Sequence, residues 1–172
     1  MTDNNEKRIR LPMKPFPSAG AGETSALALE HFLPFRLSVL SNRLTRAVAR
    51  VYAQRYQLSA PEWRTMAVLG RYGTMTANSV VERTAMDKVR VSRAVARLLA
   101  TNRVTRRTDP EDRRRAILDL TPAGLSVYRQ IVPRALAVET EMLAALSAEE
   151  RAALEAAISK LENRVTVPLP EE

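Results

Sequence analysis

The chain has 172 residues, with 27 Lys and Arg against 19 Asp and Glu for a formal charge of +8. That length suits one domain, or one with an appendage, and can bury a substantial core. Cysteine is absent, which excludes disulfides, thiolate metal sites and Cys nucleophiles. No window reaches the ~20 apolar residues that cross a bilayer, and the polar start MTDNNEKRIR has no apolar signal core behind it, so a cytoplasmic protein is expected.

Residues 1–26, with Pro12, Pro15 and Pro17 before Gly20 and Gly22, read as a flexible arm. From about Leu27 to Tyr56 an apolar stripe recurs in steps of three and four, at Leu33, Leu37, Leu40, Leu44, Val48 and Val51. That spacing predicts a long amphipathic helix with Pro34 in its first turn. Ser59-Ala60-Pro61-Glu62 supplies a cap, an early proline and a glutamate three residues on, a helix start that should run to Tyr72-Gly73. A short helix follows from Thr76, with Val80, Val81 and Thr84 inward. Asp87 then caps a helix to about Thr101, and Asn102 is suited to the left-handed turn that ends it.

Val104–Thr108, the polar turn Asp109-Pro110-Glu111-Asp112, and Arg115–Leu120 read as a β-hairpin with an arginine-rich tip. Thr121-Pro122 opens a further helix that Pro133 should bend. Ser147-Ala148-Glu149-Glu150 is a second capping box, followed by Leu154, Ile158, Leu161 and Val165 at helical spacing. The fold expected is mainly α with a small β-hairpin wing.

The charge is concentrated. Residues 88–115 hold 10 basic and 3 acidic side chains, +7, whereas residues 121–172 hold 5 basic and 8 acidic, −3. On a helical wheel started at Lys88, Val91, Val95, Leu98 and Leu99 fall between roughly 280° and 20°. Val89, Arg90, Arg93 and Arg97 fall opposite, between roughly 100° and 200°. One face would pack on the domain while the other presents three guanidinium groups. Such a helix, preceded by a short helix and a tight turn, is a helix-turn-helix whose second helix can enter a DNA major groove. Lys88 and Ser92 near its start can reach phosphates or bases. Arg113 and Arg114 at the hairpin tip can reach an adjacent minor groove, with Asp112 orienting Arg113 and Asp109 beside the turn. A surface ion-pair cluster is the bland alternative, but three consecutive arginines at one turn exceed what local pairing needs.

Residues 75–124 resemble the MarR family of winged helix-turn-helix transcriptional regulators. The resemblance lies in Met86-Asp87-Lys88, Ser92-Arg93 and Leu98, then Asp109-Pro110-Glu111-Asp112-Arg113-Arg114, then Leu120-Thr121-Pro122-Ala123-Gly124. Two positions depart from the family pattern: Asn102 stands where a glycine is usual, and Arg90 where a small residue or proline is common. The resemblance implies a DNA-binding lobe over 57–120, a helical dimerisation region over 27–56 and 121–166, and a tail at 167–172. It implies a homodimer on a palindromic operator of double-stranded DNA, with recognition helices about one DNA turn, roughly 34–36 Å, apart.

It also implies a small aromatic effector. His31-Phe32-Leu33-Pro34-Phe35-Arg36 is similar to the start of regulators of aromatic-acid breakdown, some of which respond to hydroxycinnamoyl thioesters of coenzyme A. The expected effector residues are His31, Phe35, Arg36, Trp63 and Met66, since arginine among aromatics suits an acid attached to a ring. For any one of these, ordinary core or helix-start packing is the simpler reading. An enzyme is not expected: one histidine, no cysteine, no Gly-rich phosphate loop and no clustered carboxylates leave few groups for catalysis. No metal or cofactor is expected either, because His31 has no ligand partner at useful spacing. The competing classes are a constitutive architectural DNA-binding dimer and a winged-helix adaptor for RNA or an acidic protein.

Overall fold

A computed structural model describes residues 27–110, 112 and 115–165. The expected arm at 1–26 and the tail at 167–172 lie outside the described residues. The chain divides into two compact units, residues 1–44 and 45–172. The division falls inside a helix rather than at a helix end.

That helix, α1, spans Leu33–Tyr56. Pro34 lies in its first turn as expected, so the helix begins at Leu33 and not near Leu27, the outer bound of the stretch. Residues 29–31 instead form a turn in which the His31 N–H donates to the Ala28 carbonyl at 2.9 Å. Pro34 explains the boundary: proline lacks an N–H and fits a first turn, while the residue before it is biased away from helical backbone. In the first unit, Leu33, Leu37, Leu40 and Leu44 are all exposed. In the second, Val48 and Val51 pack against the core.

Helix α2 (Ala60–Tyr72) opens on the expected capping box: the Glu62 N–H donates to Ser59 Oγ, and the Ser59 N–H donates to Glu62 Oε2 at 2.6 Å. It ends at Gly73, whose φ of 79° favours glycine. A two-residue strand, β1 (Met75–Thr76), follows and was not legible in the sequence. Thr76 then caps α3 (Ala77–Thr84). Ala85, in the left-handed region at φ 51°, makes the tight turn toward Asp87. Asp87 caps α4 (Lys88–Ala100) by accepting from the Arg90 N–H at 2.7 Å. Asn102 takes the left-handed conformation, φ 52°, where the family pattern has glycine. Asparagine tolerates that region better than most residues.

Strands β2 (Val104–Thr108) and β3 (Ala116–Leu120) form the hairpin, in antiparallel register from Val104 opposite Leu120 to Thr108 opposite Ala116. Arg115, expected to begin the second strand, sits just before it. β1 pairs with the other edge of β3, Met75 opposite Leu118, so the sheet order is β1-β3-β2. Helix α5 (Pro122–Leu143) begins at the Thr121 cap and continues through Pro133. Helix α6 (Ala148–Val165) begins at the Ser147-Glu150 capping box.

The core of the second unit gathers Tyr52 from α1, Met66 and Leu69 from α2, Val80 from α3, Val91, Val95 and Leu98 from α4, Leu118 from β3 and Ile131 from α5. Beside it, Trp63 stacks between Tyr52 and Tyr128, with ring centroids 5.6 and 6.1 Å away. Gly70 makes room for this stack, since a Cβ there would lie 2.7 Å from the Tyr128 ring. Gly124 is tighter still: its Cβ would meet the Arg103 carbonyl oxygen at 1.9 Å, so the turn that enters the wing and the start of α5 approach as only glycine permits.

Candidate nucleic-acid interface

Helix α4 divides into two faces. Val91, Ala94, Val95 and Leu98 are buried, and Lys88, Val89, Arg90, Ser92, Arg93 and Arg97 are exposed. Ala94 joins the inward set that the sequence placed on Val91, Val95, Leu98 and Leu99. Leu99 is half-buried. Packing fixes the roll of the helix about its axis, and that roll turns the basic side outward. Val89, an aliphatic side chain 58% exposed on this face, is available for apolar contact such as a thymine methyl group.

The outward side chains are not equivalent. Arg90 sits in the first turn of the helix and pairs with Asp87 at 3.1 Å, both largely exposed. An exposed pair of this kind is weak and readily exchanged for another anion. Arg97 differs. Its Nε donates to Glu62 Oε1 at 2.7 Å, and that carboxylate is only 4% exposed although the arginine is 74% exposed. Arg97 was expected to face DNA freely, but part of its guanidinium is engaged inside the protein by the glutamate that completes the α2 capping box. The sequence marks Glu62 only as a capping residue, because a pairing 35 positions apart leaves no local signal.

The wing carries a second basic group. Arg106 and Arg107 lie exposed on β2 and Arg115 is exposed before β3. Asp119 accepts from Thr74 Oγ1 at 2.7 Å and pairs with Arg107 at 3.7 Å, tying the segment before β1 to the wing. At the tip, the Asp109 N–H donates to the Arg115 carbonyl and the Arg115 N–H to the Asp112 carbonyl, both at 2.9 Å. Asp112 also approaches the Arg115 guanidinium at 3.9 Å. The Arg113 expected beside Asp112, and Arg114, lie outside the described residues.

The expected effector residues are distributed over both units. His31 precedes α1, Phe35 is exposed and Arg36 half-buried in the first turn, all in the first unit. In the second, Trp63 is half-buried in the aromatic stack, and Met66 is wholly buried at 0% exposure. Met66 is therefore a core side chain here rather than a surface available to a ligand. Among the described residues, no group of three or more His, Asp or Glu could hold a metal ion, and no helix is long and apolar enough to cross a membrane.

Residues 56–115, which span α2 through the tip of the wing, match the MarR family model. The HTH-type transcriptional repressor NicR of Pseudomonas putida is 30% identical over 98 residues, 57% of this chain and 62% of the repressor. The match thus spans less than two thirds of that relative's length. Among solved structures, a MarR/EmrR family transcriptional regulator from Acinetobacter sp. ADP1 is 25% identical with a TM-score of 0.72, over 78% of this chain and 94% of that one. Bordetella bronchiseptica BpsR, whose DNA binding is regulated by 6-hydroxynicotinic acid, is 25% identical with a TM-score of 0.62, over 74% and 98% of the two chains. The helix order, the antiparallel wing, the divided faces of α4 and these matches agree: residues 56–115 are similar to the MarR family, and the chain shares the fold of MarR family structures.

Proposed function

We propose that this protein is a ligand-responsive transcriptional regulator, a repressor that binds a palindromic operator as a homodimer and is released by a small aromatic effector. The observation that carries the reading is the outward face of α4. Lys88, Val89, Arg90, Ser92 and Arg93 stand exposed on a helix whose other face is locked into the core. Rigid presentation of several donors suits recognition of base edges and phosphates in a major groove. Arg113 and Arg114 are the proposed wing contacts, with Asp109 and Asp112 shaping the turn beside them.

The proposed dimer rests on apolar surface. Leu154, Ile158 and Leu161 form a stripe on α6 that is about half exposed in the single chain, and Leu33, Leu37, Leu40 and Leu44 do so on the first part of α1. Contiguous apolar surface of that kind marks an interaction face. The effector proposed is an aromatic acid or its acyl-coenzyme A thioester. Support comes from the 6-hydroxynicotinic acid response of BpsR and from the His31–Arg36 stretch. Arg36 in the first unit is the proposed partner of an acid group, with His31 and Phe35 beside it in sequence; Trp63 in the second unit is a separate proposed contact.

Fluorescence anisotropy on labelled duplexes, titrated with salt, tests the reading. Sequence-selective binding whose affinity falls steeply with salt is expected. Equal affinity for unrelated duplexes would favour a constitutive architectural protein. Absence of release by aromatic acids and their thioesters would remove the effector.

A further inference from the structure

We infer that Arg97 and Arg103 are positioning residues that clamp the junction between α1 and α2, and so set the recognition helix on that junction instead of reading DNA. The inference rests on the DNA-binding reading of α4.

The junction runs from Tyr56, the last residue of α1, to Glu62 in the first turn of α2. Gln57 makes a left-handed step at φ 51°. The helix ends there, and the last carbonyls of a helix have no partner within it. Arg103, in the turn between α4 and β2, supplies one: its Nη2 donates to the Tyr56 carbonyl at 2.5 Å. A cation at a helix C-terminus also meets the negative end of the helix dipole. The tyrosine is held from its other end. Arg134 of α5 donates to the Tyr56 hydroxyl at 2.9 Å, and the hydroxyl donates to Gln130 at 3.2 Å.

Six residues further on, Glu62 is gripped in the same way. One carboxylate oxygen accepts from the Ser59 N–H and the other from Arg97 of α4. The two arginines thus reach from the recognition helix and the turn that ends it to the two ends of one short segment. The backbone of Arg103 is fixed as well, because its carbonyl accepts from the Thr121 N–H at 3.1 Å and lies against Gly124. Each guanidinium has one N–H engaged inside the protein, that of Arg103 on a backbone carbonyl and that of Arg97 on a buried carboxylate.

The test uses Glu62→Gln, Arg97→Gln, their double variant and Arg103→Gln in the full chain. Gln at the third helical position keeps a capping box, so Glu62→Gln removes the charge without removing the helix start. Hydrogen exchange of residues 57–62 without DNA should accelerate about tenfold in each single variant, as a loosened segment opens more often. Binding to a labelled duplex bearing an operator selected from a randomised library should weaken by about tenfold in Arg97→Gln and in Glu62→Gln, with the double variant no worse than either. The slope of affinity against salt should stay at the wild-type value.

Arg97→Gln that lowers this slope by about one while exchange is unchanged makes Arg97 a phosphate contact and overturns its assignment. Unchanged exchange in Arg103→Gln overturns the clamp at the Tyr56 end. A wild-type protein that selects no operator defeats the DNA-binding reading, and the exchange measurement still decides the clamp.

Discussion

Helices α4 and α6 carry apolar residues at the same three- and four-residue spacing, with opposite outcomes. In α4, Val91, Val95 and Leu98 are each 1% exposed, whereas in α6 Leu154, Ile158 and Leu161 are 42–46% exposed. The first stripe meets α2, α3 and the sheet within its own unit; along residues 148–164 of α6 every side chain is exposed. Helical periodicity states that a face should be covered, but not by which surface.

The comparison can be broken most severely at its tightest point. Gly124→Ala puts a Cβ 1.9 Å from the Arg103 carbonyl, and the lobe should lose about 4 kcal/mol or more, read by urea unfolding. A loss under about 1 kcal/mol would mean that the turn entering the wing at Arg103 shifts freely. Leu98→Ala, on the covered stripe, should cost about 2–5 kcal/mol in the same measurement through loss of burial and the cavity left behind. On the open stripe, Leu154→Glu with Ile158→Glu should leave the unfolding of the winged lobe within about 0.5 kcal/mol of wild type. The same double variant should move the protein from dimer to monomer in sedimentation velocity. If it remains a dimer, α6 is not the proposed interface.

Arg93→Ala separates stability from function on α4 itself. Thermal unfolding should change by less than about 0.5 kcal/mol, while operator binding weakens and its salt slope falls by about one. The smallest effect is expected at Tyr52. Burial raises its phenol above the ordinary value, opposed by the positive charge of Arg64. The folded state therefore keeps a proton that the unfolded chain releases near pH 10. This contribution is full below that pH and is lost as pH rises toward the folded value. Tyr52→Phe should reduce the alkaline loss of stability, and an unchanged alkaline limb would exclude Tyr52 as its source.

Much of the candidate interface was legible because it obeys local rules. Asp87, Ser59, Thr121 and Ser147 announced their helices by capping, and the wheel of α4 placed Val91 and Arg93 on opposite sides. Asn102 marked its left-handed turn. The two-residue strand at Met75–Thr76 was not legible, since it exists only because β3 offers it an edge. Pro34 marks the first turn of α1, which begins at Leu33 and not at the outer bound near Leu27.

Composition and local pattern by themselves determined the absence of disulfides, the helix order, the arginine-bearing hairpin and the basic side of α4, because capping, periodicity and charge act between neighbours in the chain. Only the tertiary structure decided that Arg97 meets Glu62 and Arg103 meets Tyr56, which gives two members of the +7 block partners inside the protein. The physical reason is distance along the chain. These pairs are 35 and 47 residues apart, and a guanidinium shows its partner only when folding has brought one within hydrogen-bond reach.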